Sequence, residues 1–169
     1  MIEAKSLREV PPCSAVYALY DRKPPSHQPA YVGMGGNLRT RLVQHFIRRD
    51  SSVVTGASAA GLNIDLIRYV WWWSGDLLGD ELVREAAELI AFDVFEPTLR
   101  SRGRVSKAAR ELYAEEGFRR QYKRLFEGPP SGRLALPSLS DLAQQTAILH
   151  ERVAELAAQV ERLLGRVRD

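Results

Sequence analysis

Cysteine is nearly absent from this 169-residue chain. Cys13 stands alone, so no internal disulfide can form, and without a cysteine partner it reads as a small buried apolar residue before it reads as a metal ligand. Long apolar runs are lacking too. The run Leu66 to Trp73 falls far short of the roughly 20 residues that span a bilayer, and no apolar segment of signal-peptide type opens the sequence. The expectation is a soluble, cytoplasmic protein with no membrane association. Charge of one sign is also scarce: the net charge is only +3, so any preference for a polyanion has to be local. What is present, 45% apolar residues over this length, is ordinary for one folded domain with an appendage.

Two short apolar runs, Ser14 to Tyr20 and Ala30 to Val32, are rich in aromatic and β-branched residues and read as strands. Between them, Pro24, Pro25 and Pro29 suit a hairpin connection and could not continue a central strand. Gly33, Gly35 and Gly36 are expected to break the second strand. Asn37 then caps a helix whose apolar positions Leu38, Leu42, Phe46 and Ile47 face a core. On that helix Arg41 and His45 are one turn apart and share a face. Tyr17 and Tyr31 come from the paired strands just before it, so the four groups are expected to converge near its N-terminal half.

The pattern Ala15-Val16-Tyr17, Tyr31-Val32-Gly33, then Arg41 and His45, resembles the GIY-YIG nuclease family, which includes excision-repair incision nucleases, some homing endonucleases and some restriction enzymes. The resemblance implies a small sheet flanked by helices and a metal-binding glutamate about nine residues before a proline, a place that Glu88 takes relative to Pro97. Two positions depart from the family pattern. Ala15 replaces the first glycine, a mild change within a strand, and Arg100 stands where an asparagine is usual, removing a hydrogen-bonding group.

These residue types suit phosphodiester hydrolysis. The attacking water needs a base, the transition state gathers negative charge, and the departing oxygen needs an electrophile. By the resemblance, one divalent cation, Mg²⁺ or Mn²⁺, on Glu88 would act as the Lewis acid, with Glu85, one turn away, as the competing ligand. Arg41 would donate its planar fork to phosphate oxygens. A tyrosine has an ordinary pKa near 10, so as a base it needs a nearby cation or a histidine to take its proton; Arg41 and His45 supply both. The sequence leaves open whether Tyr17 or Tyr31 activates water. Taken singly, each residue has a blander reading: core tyrosines, a solvated helix face, and an exposed carboxylate in the series Glu81, Glu85, Glu88. Their joint spacing favours the site.

The stretch Ser51 to Gly61 is made of small residues and reads as a loop beside the site. Asn63 to Trp73 reads as a third strand; three consecutive tryptophans send side chains to both of its faces, so both are expected to be covered. Residues 99–133 hold ten Arg or Lys against four Glu. Such an excess favours a polyanion. A helix starting at Ser106 is expected to carry Lys107, Arg110, Arg119, Arg120, Lys123 and Arg124; these, Arg110 apart, join Arg39, Arg100, Arg102 and Arg104 as candidate nucleic-acid contacts. A solvated charged face is the alternative. Tyr113, Phe118, Tyr122 and Phe126 would dock this segment on the rest.

After a Gly/Pro-rich linker, Leu142, Leu149, Leu156 and Leu163 repeat every seven residues, with Leu139, Thr146, Val153, Val160 and Val167 in the complementary seam. Valine opposite leucine in this way favours a two-stranded parallel coiled coil, here about 43 Å long. A helix folding back on its own domain is the alternative. The organisation expected is therefore a catalytic domain over 9–100, a basic helical extension over 101–128, a linker over 129–138 and a dimerising helix over 139–169. The fold class is α/β (α+β), built on a small three-stranded antiparallel sheet. The reading as a whole is a metal-dependent endonuclease acting on DNA, with RNA left open, working as a homodimer. The competing reading is a binding and assembly module that keeps this fold with weakened catalysis.

Overall fold

The computed structural model describes residues 1–51, 62–99 and 105–168, without the side chains of Leu139 and of residues 164–168. Two compact units divide the chain, Met1–Leu136 and Pro137–Asp169.

The first unit is an α/β fold on a mixed sheet. Among the described residues its strands are β1 (Ile2–Ala4), β2 (Ala15–Tyr20), β3 (Tyr31–Gly35), β4 (Tyr69–Ser74) and β5 (Gly132–Ala135), in the order β1-β5-β4-β2-β3. The expected three-stranded antiparallel sheet is present within it as β4-β2-β3. Two further strands extend it. β5 pairs antiparallel with β4, and β1 pairs parallel with β5, so β5 lies within the stretch 129–138 read as a linker. Neither shows an apolar alternation long enough to stand out: β1 is three residues, β5 is four, and about 130 positions separate them. Glu3 and Arg133 form an ion pair across that strand pair.

The helices are α1 (Leu38–Val43), α2 (Glu81–Phe95), α3 (Lys107–Ala114) and α4 (Glu116–Glu127). Asn37 caps α1 by accepting from the Thr40 N–H at 3.0 Å, as its side-chain chemistry favours. α1 runs on into a π-helical turn over Gln44–Arg48. Leu38 and Leu42 are buried, Phe46 is partly so, but Ile47 faces solvent because the wider turn carries it off the apolar stripe. Three other expectations need correction. β3 is not broken at Gly33 but runs through it to Gly35. The strand expected from Asn63 begins only at Tyr69, since the Asn63 side chain accepts from the Asp65 N–H and starts a 3₁₀ turn over Ile64–Leu66. The basic helix from Ser106 is two helices, broken at Glu115, whose backbone is extended.

Side chains alternate across the sheet, and the two faces bury separate cores. Tyr17, Leu19, Tyr31, Val70, Trp72 and Leu134 join Leu38 and Leu42 on one face. Val16, Ala18, Tyr20, Val32 and Trp73 pack with Ala87, Ile90 and Ala91 of α2 and with Tyr122 and Phe126 of α4 on the other. The three consecutive tryptophans thus divide between faces, Trp72 to the first and Trp71 and Trp73 to the second. Cys13 is half-buried and free rather than fully enclosed.

The second unit is α5 (Leu139–Arg168), a single 30-residue helix. Its seam residues Leu142, Leu149, Val153, Leu156, Val160 and Leu163 are 44–64% exposed. Thr146, within the seam, spends its hydroxyl on the Leu142 carbonyl at 2.8 Å. Among the described residues no helix is long and apolar enough to cross a membrane.

Candidate active site

The β2–β3 register sets Tyr17 directly opposite Gly33, and Tyr31 lies two residues before that glycine on the same face. Glycine is required there by space alone. A methyl at position 33 would sit 2.6 Å from Tyr17 Oη and 2.7 Å from Tyr31 Cε1, so both rings lean over the bare backbone. Their centroids are 6.3 Å apart. α1, entered directly from β3, brings His45 into the same space, with its ring 5.7 Å from Tyr17 and 5.9 Å from Tyr31, edge-on to both.

Tyr17 Oη and His45 Nε2 are 2.6 Å apart, in a hydrogen bond with no exposure to solvent. The other ring nitrogen, Nδ1, lies 2.8 Å from Ser51 Oγ, which is itself buried. Both nitrogens are therefore engaged, which fixes the orientation of the ring. Burial, reinforced by the Arg41 charge, pulls His45 down from 6.5 to about 3, so it is neutral at physiological pH. Burial pushes Tyr17 well above 10 and Tyr31 up to about 12. The neighbouring phenol and Glu88 raise Tyr17 further, while Arg41 opposes the shift on both rings through its charge and through hydrogen bonding. On Arg41 itself, desolvation is outweighed by the two tyrosines, and it stays a cation that also donates to Gln44 Oε1 at 3.1 Å.

Glu88, on α2, is 8% exposed and close enough for its charge to act on both phenols. Tyr17, Tyr31, Arg41, His45 and Glu88 therefore occupy one neighbourhood, as their spacing suggested. Comparison with protein-family models, curated proteins and solved structures finds no match for this chain. The chemistry of the site has to be read from its own geometry.

Among the described residues no group of three or more His, Cys, Asp or Glu gathers to hold a metal. One buried carboxylate beside an arginine fits a different kind of ion, a hard divalent cation that keeps most of its shell as water and other oxygens. Glu88 meets that description. Glu85, the competing ligand, has both oxygens engaged, accepting from the Ser106 N–H at 2.8 Å and the Ser106 hydroxyl at 2.6 Å and so holding the start of α3.

The basic residues are less concentrated on the site than their number suggests. Arg39 donates through Nε to the Val10 carbonyl at 2.7 Å, tying the N-terminal segment to α1. Lys107, Arg120 and Lys123 each pair with a glutamate on the same helix, Glu111, Glu116 and Glu127 respectively. Arg119 stacks over the Tyr113 ring with 5.2 Å to its centroid, and Arg124 is exposed. Arg100, Arg102, Arg104 and the small-residue stretch 52–61 lie outside the described residues. Ser51 reads in the sequence only as the start of a loop beside the site, and Gln44 not as a site residue at all: nothing in a serine six positions past His45 announces a ring partner.

Proposed function

We propose that this chain is a divalent-metal-dependent endonuclease of the GIY-YIG type, hydrolysing phosphodiester bonds in DNA and working as a homodimer joined through α5. The observation that carries the reading is the buried Tyr17–His45 hydrogen bond beside Arg41 and Glu88. It couples a phenol to a neutral imidazole, which would take its proton once a phosphate docked on Arg41 offsets the guanidinium charge that helps hold the ring neutral. With Nδ1–H donating to Ser51 Oγ, Nε2 is free to accept from the Tyr17 hydroxyl. A water then loses its proton to Tyr17 as the phenolic proton passes to Nε2. The resulting hydroxide attacks phosphorus, and the bond to the leaving oxygen breaks with no enzyme-bound intermediate. Arg41, permanently charged, faces the non-bridging oxygens where negative charge builds. A divalent cation held by Glu88 would supply Lewis-acid stabilisation of the leaving oxygen.

Tyr31 is the second reading for the base, favoured by its position: it is 6% exposed where Tyr17 is fully enclosed. In the first reading Tyr31 orients water or phosphate. For the dimer, the support is the uncovered Val/Leu seam of α5, whose register suits two parallel strands.

Nicking of supercoiled plasmid in the presence of Mg²⁺ or Mn²⁺, with a single-stranded RNA arm alongside, tests the activity. Arg41→Ala and Glu88→Gln should each lower the rate by about 10²–10³-fold. A parent protein that binds nucleic acid but nicks nothing, and is indistinguishable from both variants, leaves the binding-module reading in its place.

A further inference from the structure

Arg84 lies on the first turn of α2, one helical turn before Glu88, and is only 7% exposed. Its Nη1 donates to the Leu78 carbonyl at 2.7 Å and the Gly79 carbonyl at 3.2 Å. Those bonds leave the rest of the guanidinium unused. Among the described residues the buried Nε has no hydrogen-bond partner and no carboxylate forms an ion pair with Arg84. A buried guanidinium with an unfilled donor and no carboxylate in direct contact is completed by an arriving anion.

The side from which an anion could arrive is marked by Gly36. A methyl at that position would lie 3.5 Å from Arg84 Nη2 and 3.9 Å from its Cζ, and would meet nothing else within 4 Å. The guanidinium therefore flanks the bare backbone of the β3–α1 turn, with no other described residue within 4 Å of that methyl position. At the preceding position, Gly35, the nearest neighbour of such a methyl is Arg41 Cβ at 3.3 Å. Two consecutive glycines thus run beside two arginines, one of them already assigned to the reacting phosphate. We infer that Arg84, reached over Gly36, is a second phosphate-binding residue that holds a backbone phosphate next to the one held by Arg41. The identity of the ligand rests on the nuclease reading; the existence of an anion site does not.

Two probes test it: inorganic phosphate, read as a rise in melting temperature, and a fluorescent DNA oligonucleotide, read by anisotropy in EDTA so that binding is separated from cleavage. Arg84→Gln should weaken oligonucleotide binding about tenfold and reduce the slope of log K against log salt concentration by about one, and it should abolish stabilisation by phosphate. Because Arg84 also holds the Leu78 and Gly79 carbonyls, Arg84→Gln could fail to fold. Gly36→Ala serves as the second variant: the added methyl makes only ordinary contacts, so melting is unchanged while the approach to Nη2 is covered and affinity falls several-fold. The inference is overturned if folded Gly36→Ala and Arg84→Gln both keep the parent's affinity and salt slope, even where the parent nicks plasmid. If phosphate stabilises the parent but neither variant, and no nucleic acid is bound or cut, the anion site stands and the nuclease reading falls.

Discussion

At the scale of single residues, the Tyr17–His45 pair makes two separable predictions. Tyr17→Phe keeps the ring packing but removes the proton path, so plasmid nicking should fall by roughly 10²–10⁴-fold, with Tyr31→Phe falling less. The reverse order would hand the base to Tyr31. The second concerns acid. His45 is held neutral in the folded chain down to about pH 3, whereas the unfolded chain takes up that proton near 6.5. Between those values the unfolded state binds more protons, so the stability contributed by His45 is complete above 6.5 and is lost as the pH falls towards 3. Urea titrations of the parent and His45→Gln should therefore converge by about 2 kcal/mol between pH 7 and pH 5. A gap that does not change with pH would mean the imidazole titrates normally. Gly33 completes this scale: Gly33→Ala places a methyl inside the contact distance of both tyrosines, and should destabilise the fold by about 1–3 kcal/mol while weakening nicking. What was legible here came from strong local signals. Aromatic strands, a capping asparagine and an i, i+4 pair put four groups together, whereas Ser51 reaches His45 because the chain turns back after the π-helical turn ending at Arg48, a bend no residue pattern announces.

At the scale of elements, β5 shows where local signals fail. Its sequence, Gly132-Arg133-Leu134-Ala135, sits just beyond Gly128-Pro129-Pro130 and carries the composition of a connector. Its place in the sheet is decided by partners far away: Trp72 beneath Gly132, and Ile2–Ala4 alongside. A methyl at Gly132 would lie 2.1 Å from Trp72 Cζ2, far inside any tolerated contact, and the ring it meets is fully buried. Gly132→Ala should therefore destabilise the first unit by several kcal/mol, whereas Gly128→Ala, at the end of α4, should cost much less. Thermal melts of the two variants, side by side, check this; equal melting points would show that residues 129–138 act as the connector their composition suggests. The same logic explains α2. Its glutamates look alike in sequence, and only tertiary context separates Glu85, bound to Ser106, from Glu88, beside the tyrosines.

At the scale of the whole molecule, two associations are proposed, and salt tells them apart. Binding of a nucleic acid through Arg41, Arg84 and the exposed cations releases counterions and must weaken steeply as salt rises. Pairing of α5 with a second copy has no such origin. With the seam at Leu142, Thr146, Leu149, Val153, Leu156, Val160 and Leu163, the flanking positions hold Ala143, Gln145, His150, Arg152, Ala157 and Gln159, with no carboxylate among them. In a parallel pair Arg152 faces Ala157 of the other copy, five residues on, so interhelical ion pairs contribute nothing. Arg152 is instead paired within its own helix, with Glu155 at 2.8 Å. Burial of valine and leucine is the remaining driving force, and it does not decline with moderate salt. Sedimentation of the intact chain should accordingly report a dimer at both low and high salt, while a chain ending at Pro137, or the Leu149→Asp and Leu156→Asp double variant, sediments as a monomer. A monomer in the intact chain at every salt concentration would remove the dimer. An association that weakens with salt in step with nucleic-acid binding would place its origin in the bound polyanion, not in the valine–leucine seam.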